Sequence, residues 1–420
     1  MDSDNYYLVF DLKTLVYIVD DNVLIYNTLT GESIESFNNQ YIANLLSQSV
    51  CKLTAIDFLH QELNELIDKV QALKVGKLVN SSLFRELPLN TLPYQPISTI
   101  RNNEIISIRD LGDYYADYQH VDTTFSFYIN NECGLNCIFC EKAFKQFTCC
   151  NSSNDRKSEI SLNEIEAFLK FPIYHVEKIL IVSGGNMFRH SQLNEIVLFF
   201  NSLPNIKKYV INCLHINRSI DLSTFSEHLS CFEIIVSMDI QFALIEKAKA
   251  ILDMSKIKYS FVFIVSSNPD IESAEIIVQK LQISSYELKP YYTGSNIGFF
   301  EENLFSDKED ILSSKVNFTK VLRNKLLNEN YFSSLALMSN GEIYSNLNAK
   351  SVGVLNDDWP DILNEIEKEG SWFLNRSRIE PCNKCTYALL CLSPGNYENV
   401  IGRNNLCKIK LNNYKQVIRE

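Results

Sequence analysis

Five cysteines fall within residues 133–150 and four within 382–407, while Cys51, Cys213 and Cys231 stand apart. Thiols grouped like this in a large chain point to metal ligation or redox chemistry, because disulfide frameworks suit small secreted domains with little core. The first group reads NNECGLNCIFCEK and sets Cys133, Cys137 and Cys140 as C-x3-C-x2-C. Zinc fingers and knuckles generally use C-x2-C pairs and four protein ligands. Three thiolates instead leave one position open, and an iron-sulfur group with one unligated iron can bind a small molecule there and pass it an electron. A structural zinc site closed by Cys149 or Cys150 is the competing reading, and otherwise that pair reads as ordinary loop thiols. The second group sets Cys382, Cys385 and Cys391 as C-x2-C-x5-C, with Cys407 after 15 more residues. Four thiolates make a closed site, and spacing alone does not separate iron from zinc. Cys213 and Cys231 lie in or beside strand patterns and read as small buried hydrophobes.

The elements that must position these thiols follow from periodicity. At 420 residues the chain has material for two or three domains. Apolar residues at 46% and charged residues at 21% describe a soluble globular chain. A net charge of −12 argues against a broad nucleic-acid footprint, which needs a basic face. No apolar run approaches the roughly 18–20 residues of a membrane span, and the start MDSDNYYLVFDLK has acids where a signal peptide has lysines, so a cytoplasmic location is expected. Residues 7–36 read as short strands forming a small β-meander, and Tyr41 to about Lys77 carries helical spacing, giving an α+β domain over 1–80. Residues 81–120, with Pro88, Pro93 and Pro96, read as a linker.

After the linker, strands and helices alternate. TTFSFYIN (123–130), KILIVSG (178–184), YVINCLHI (209–216), FEIIVSMD (232–239), YSFVFIVSS (259–267) and SYELKPYY (285–292) predict strands, with helices near 162–171, 191–203, 240–254 and 271–282. About six such units over 121–310 predict an α/β fold with a parallel sheet, nearer a partial (β/α)6 barrel than an eight-fold one. Beyond it, 314–330 reads as helix and 331–345 as a hairpin turning at Asn340-Gly341; the last 40 residues carry the second cysteine group and little regular pattern.

The first cysteine group, placed directly after the first strand of this run, resembles the radical SAM enzymes, which carry C-x3-C-x2-C in the loop after the first strand of a β6/α6 partial barrel. The resemblance implies a 4Fe-4S cluster on Cys133, Cys137 and Cys140 and S-adenosylmethionine on its open iron. It also implies reductive cleavage of that cofactor to methionine and a 5′-deoxyadenosyl radical. Phe139 matches the aromatic residue that packs on the adenine in that family. Gly184-Gly185 match the Gly-Gly-Glu motif whose backbone approaches the methionine moiety, and Asn186 stands where the Glu is expected. An amide oxygen accepts from an ammonium but brings no charge, so weaker cofactor binding is implied. Ser237 and Asp239 at the end of the fourth strand, and Ser266 at the end of the fifth, match positions where similar enzymes place polar groups near the ribose.

The second cysteine group resembles the SPASM extension that follows many radical SAM domains and holds auxiliary 4Fe-4S clusters, here over 311–420. The resemblance implies one auxiliary cluster on Cys382, Cys385, Cys391 and Cys407. The ligands peculiar to a second cluster are missing, with Gly395 and Asn346 at the expected cysteine positions. Residues 1–80 resemble the winged-helix domains that capture a leader peptide by strand addition in maturases of ribosomally made peptides. A small domain that only packs against the barrel reads the same way.

Together these resemblances imply a radical SAM/SPASM peptide maturase acting on a precursor peptide, with a flavodoxin- or ferredoxin-type electron donor. A crosslink, a thioether or an epimerised centre all start from the same hydrogen abstraction. The other readings are a peptide-binding partner without catalysis, and a radical SAM enzyme that acts on a non-peptide substrate or activates another enzyme. His120, His175, His190, His215 and Glu141 are acid/base candidates by position only.

Overall fold

The computed structural model describes residues 6–48, 51–80, 123–135, 137, 139–150, 159–170, 178–225 and 230–409. The expected 81–120 linker lies outside the described residues.

The N-terminal strands divide between two sheets. β2 (Thr14–Val19), β3 (Asn22–Asn27) and β4 (Ser33–Ser36) form an antiparallel meander, with Val16 opposite Ile25 and Ile25 opposite Ile34. β1 (Tyr6–Phe10) leaves it and pairs with β5 (Lys52–Leu53) and β6 (Gly76–Asn80), which corrects the single meander read over 7–36. Helices Gln40–Leu46 and Gln61–Ala72 pack between them, burying Ile42, Leu46, Leu63 and Val70 against Leu8, Val23 and Ile25.

A nine-stranded sheet dominates the rest. β7 (Thr123–Tyr128), β8 (Lys178–Ser183), β9 (Lys207–Asn212), β10 (Ser230–Ser237), β11 (Lys258–Val265) and β12 (Tyr286–Pro290) lie side by side in chain order, and every neighbouring pair is parallel. Right-handed crossovers between strands in consecutive order put all connecting helices on one face. Side chains alternate faces along a strand, so each strand feeds two cores. Phe232, Ile234 and Val236 of β10, with Phe261 and Phe263 of β11, pack on the helix side together with Phe168 and Phe200. Val210, Ile235, Val262 and Ile264 point the other way and build a smaller inner core with Cys149 and Cys150. The helix Leu162–Leu169 starts on a capping box in which Ser161 and Glu164 satisfy each other's backbone N–H groups. Among the described residues the β9–β10 connection holds only a short 3-10 turn, Cys213–His215.

β13 (Ser334–Leu337) joins the far edge parallel to β7, and the expected hairpin carries the sheet on through β14 (Glu342–Tyr344) to β15 (Gly353–Val354). Gly341 sits at the turn with φ +86°, a conformation glycine adopts freely. The N-terminal meander packs on this C-terminal part: Leu15, Leu24 and Tyr26 share a core with Val316, Val321 and Leu389. The backbone N–H of Val316 donates to the Tyr26 hydroxyl at 2.9 Å, and Glu35 takes both Lys308 (2.5 Å) and the Tyr387 hydroxyl (2.8 Å). No helix among the described residues is long and apolar enough to cross a membrane.

Lys325 ends this region awkwardly, since its Nζ is buried with no hydrogen-bond partner among the described residues. Burial brings its pKa down from 10.5 to about 8. The fold therefore disfavours the protonated form, and that penalty is complete below pH 8 and fades between 8 and the unfolded value. Lys325→Met is expected to raise the melting temperature at pH 7, with the gain shrinking above pH 8 in a pH series of thermal melts.

Candidate metal and cofactor site

The cysteine loop is laced to the end of β8. Ile129 donates its backbone N–H to Ser183 O at 2.9 Å, and the Gly185 N–H lies 2.9 Å from both the carbonyl and the side-chain oxygen of Asn130. Asn130 Nδ2 returns a bond to Asn186 O at 2.7 Å, and Asn186 N–H donates to Glu132 O at 2.5 Å. This lacing needs the two glycines. A Cβ on Gly185 would stand 2.3 Å from Glu132 O, and one on Gly184, whose φ is +149°, would stand 2.6 Å from Asn130 Oδ1. Their reason, then, includes the approach of the chain to itself.

The three thiols are brought to this loop's inner side. Cys133 is buried with its Sγ 3.5 Å from His215 Nε2, and the amide of Asn212 points at Cys137 Sγ over 3.8 Å. Cys140 opens the short helix Cys140–Ala143, its N–H bonded to Cys137 O at 3.0 Å. Burial, opposed by a backbone hydrogen bond, pushes the Cys133 thiol up to about 11. Burial and the neighbouring Cys150 thiol push Cys137 up to about 12. Cys137, Cys140, Cys149 and Cys150 line a cavity of about 10 Å³ between the loop and the inner core, room for about one water.

Phe139 and Ser237 line the same cavity, as does Asn212 from the end of β9. The Phe139 ring stands edge-on to Tyr291 at 4.7 Å between centroids. Asp239 is exposed, yet its charge is felt at Cys137. Asn186 spends its side-chain oxygen on the Phe188 N–H at 3.2 Å, which starts the turn Met187–Arg189. Ser266 gives both its N–H and its hydroxyl to Asp270 at 2.8 Å and does not line the cavity. Of the acid/base candidates, His120, His175 and the Glu141 side chain lie outside the described residues. His190 has both ring nitrogens bonded, to Ile160 O and to the Gln192 N–H. His215 is held down at about 4 by burial, so beside Cys133 it is neutral at pH 7. A second cavity of about 520 Å³ lies against Asn186, Arg189, Glu195, His215 and Asp221.

The C-terminal thiols also share one neighbourhood. Cys385 is buried two residues before Tyr387, and burial pushes its thiol up to about 12. The N-terminal meander therefore packs beside this group. Arg376 lies within electrostatic reach of Cys382, Cys385 and Cys391 and favours their thiolates. Asn346 donates to Ser371 Oγ at 3.0 Å, and Gly395 donates its N–H to Glu398 at 2.9 Å. Both residues are thus engaged in hydrogen bonds.

Both donor sets fit iron or zinc by chemistry, being thiols, of which Cys133, Cys140, Cys382 and Cys385 are buried and Cys137, Cys391 and Cys407 half-buried. Among the described residues no group of three or more histidine, cysteine or carboxylate side chains is already drawn together to hold a metal ion. Asn212 and Arg376 escaped the sequence reading. Asn212 was findable by position, as a polar residue at the C-terminal end of a parallel strand, where sites of such sheets collect. Arg376 carries no local signal.

No protein-family model matches the chain, and no curated protein matches it. Among solved structures it is similar to Streptococcus suis SuiB bound to precursor peptide SuiA, with 13% identity, 96% of this chain and 100% of that one covered, and a TM-score of 0.48. It is likewise similar to SuiB alone and to SuiB bound to S-adenosylmethionine, each at 14% identity, the same coverage and a TM-score of 0.47.

Proposed function

We propose that the chain is a radical SAM peptide maturase: its residues 133–140 hold a 4Fe-4S cluster and S-adenosylmethionine, and its substrate is a ribosomally made precursor peptide. The observation that carries this reading is the position of Cys133, Cys137 and Cys140. They stand on the loop after the first of six parallel strands in chain order, against Gly184-Gly185 at the end of the second. A bound cluster with S-adenosylmethionine supplies a carbon radical able to take a hydrogen atom from the peptide. The chain's part is to hold the loop rigid through Asn130, Gly185 and Asn186, to keep the site dry with the inner core, and to present Phe139 and Ser237 at its wall. Cys382, Cys385, Cys391 and Cys407 hold the auxiliary cluster. The peptide adds to the meander β2-β3-β4, whose outer strands pair on one side only among the described residues.

Anaerobic reconstitution with iron and sulfide, followed by dithionite and S-adenosylmethionine, tests this. 5′-Deoxyadenosine is expected from the parent chain and not from a variant with Cys133, Cys137 and Cys140 all changed to Ala. No product from either would favour the second reading, a peptide-binding partner without catalysis. That reading draws on Asn186, whose side-chain oxygen is already engaged, and on the hydrogen-bonded positions Asn346 and Gly395.

A further inference from the structure

Two polar side chains at the end of β9 face the sulfurs of the first cysteine group, and the proposed function leaves both unused. His215 Nε2 lies 3.5 Å from Cys133 Sγ, and Asn212 Nδ2 lies 3.8 Å from Cys137 Sγ. Both belong to one short segment. The Asn212 side-chain oxygen accepts the Leu214 N–H at 2.9 Å and starts the 3-10 turn Cys213–His215, which the Ile216 N–H closes on Cys213 O at 3.1 Å. Cys213 and Ile216 are buried in the helix-side core. The turn is thus anchored from that side, while Asn212 and His215 reach the loop that carries the thiols. His215 is itself only 5% exposed, and a buried ring N–H needs a partner. Among the described residues the side-chain partner of this ring is the Cys133 sulfur.

We propose that His215 is a positioning residue acting through Cys133: its Nε2–H bonds the Cys133 sulfur and raises the reduction potential of the cluster held there, with Asn212 fixing the turn that aims it. This rests on the reading that Cys133, Cys137 and Cys140 hold a 4Fe-4S cluster. A ligating thiolate only accepts hydrogen bonds, so Nε2 is the ring nitrogen that carries the proton. Reduction brings in one electron, here from dithionite, and leaves the sulfurs more negative. An N–H aimed at one of them favours the reduced form over the oxidised one. No proton is transferred, and no bond to sulfur breaks. The Asn212 amide, farther off at Cys137, works in the same direction.

A redox titration followed by electron paramagnetic resonance tests this on the full chain, reconstituted anaerobically with iron and sulfide, for the parent, His215→Phe and His215→Gln. A variant with Cys133, Cys137 and Cys140 all changed to Ala shows which transition belongs to the first site, and the transition of the C-terminal thiols serves as internal reference. Phe keeps the bulk of a ring and has no donor, whereas Gln carries an amide N–H to about the place of Nε2. In His215→Phe the first-site transition is expected at lower potential, its reduced form about tenfold scarcer at a fixed potential, or about 59 mV for one electron. The reference transition should stay in place, and His215→Gln should restore most of the shift. A His215→Phe potential equal to that of the parent overturns the proposal, and so does a His215→Gln potential as low as that of His215→Phe. Iron lost from the first site in either variant assigns His215 to holding the loop and overturns it as well. A triple variant with the parent's iron content and both transitions overturns instead the cluster reading on which the proposal rests.

Discussion

Gly185→Ala is expected to strip metal from the first cysteine site while leaving the second loaded. The new methyl would lie 2.3 Å from Glu132 O and 2.4 Å from Glu132 C, inside the loop that carries Cys133. Both are backbone atoms, so no side-chain rotation relieves the contact. Overpacking ordinarily costs about 1–3 kcal/mol, and a clash between two main chains belongs at or above the top of that range. Relief requires the loop to lift from β8, which breaks the bonds from Gly185 and Asn186 to Asn130 and Glu132 and moves Cys133. Metal analysis should fall from two occupied sites to one, and urea unfolding should show the lost stability. Gly298→Ala is the control: it sits in the helix Ile297–Asn303 with nothing within 4 Å of the added carbon. That change should leave both sites loaded and stabilise by a few tenths to about 1 kcal/mol. Equal metal loss in both variants would refute the lacing as the reason for Gly185.

What the sequence made legible, and what it hid, divides along the range of the interactions. The parallel sheet was readable because Phe125 and Phe127, or Ile234 and Val236, announce buried strands at short range, with helical spacing between them. The hairpin at Asn340-Gly341 was readable from its turn chemistry. The helix Trp359–Glu369 went unread although it carries Pro360 in its first turn and Gly370 just past its end. β1 misled because its partners, the two-residue β5 and the five-residue β6 at Gly76–Asn80, lie more than 40 residues further along the chain. The Gly184-Gly185 pair was legible as a motif, but its packing reason depends on Glu132, more than 50 residues away in sequence. Asn186 was read as able to accept from an ammonium, and the structure adds that its oxygen also takes the Phe188 N–H that starts the next turn. The seat of the meander on the C-terminal thiol region rests on Glu35, Lys308 and Tyr387. No local period links residues 273 and 352 positions apart.

The second cysteine site is expected to depend on Arg376 as strongly as the first depends on Gly185. The Arg376 Nε donates to Leu392 O and one Nη to Asn404 O, both at 2.8 Å, and the other Nη meets Glu398. Leu392 follows Cys391, Asn404 precedes Cys407 by three residues, and the Asn404 carbonyl also faces Cys382 Sγ at 3.9 Å. One guanidinium thus ties together the segments that carry three of the four thiols. Arg376 and Glu398 side chains are each only 10% exposed. Removing one partner of such a pair typically costs about 3–5 kcal/mol, because the other charge is left buried. Arg376→Met should therefore lose stability of that order and lose metal from the C-terminal site. Changing Glu398 to Met as well removes the stranded carboxylate, and the double variant should recover much of the stability. Its metal should stay lost, because the cation that favours thiolate and the bonds to Leu392 and Asn404 are still gone. Hydrogen exchange supplies the third readout: Cys385 and Tyr387 share a core with Leu15, Leu24 and Tyr26, so amides of β2, β3 and β4 should exchange faster in both variants. Metal retained by the double variant would show that Arg376 stabilises the fold and does nothing further for the thiols.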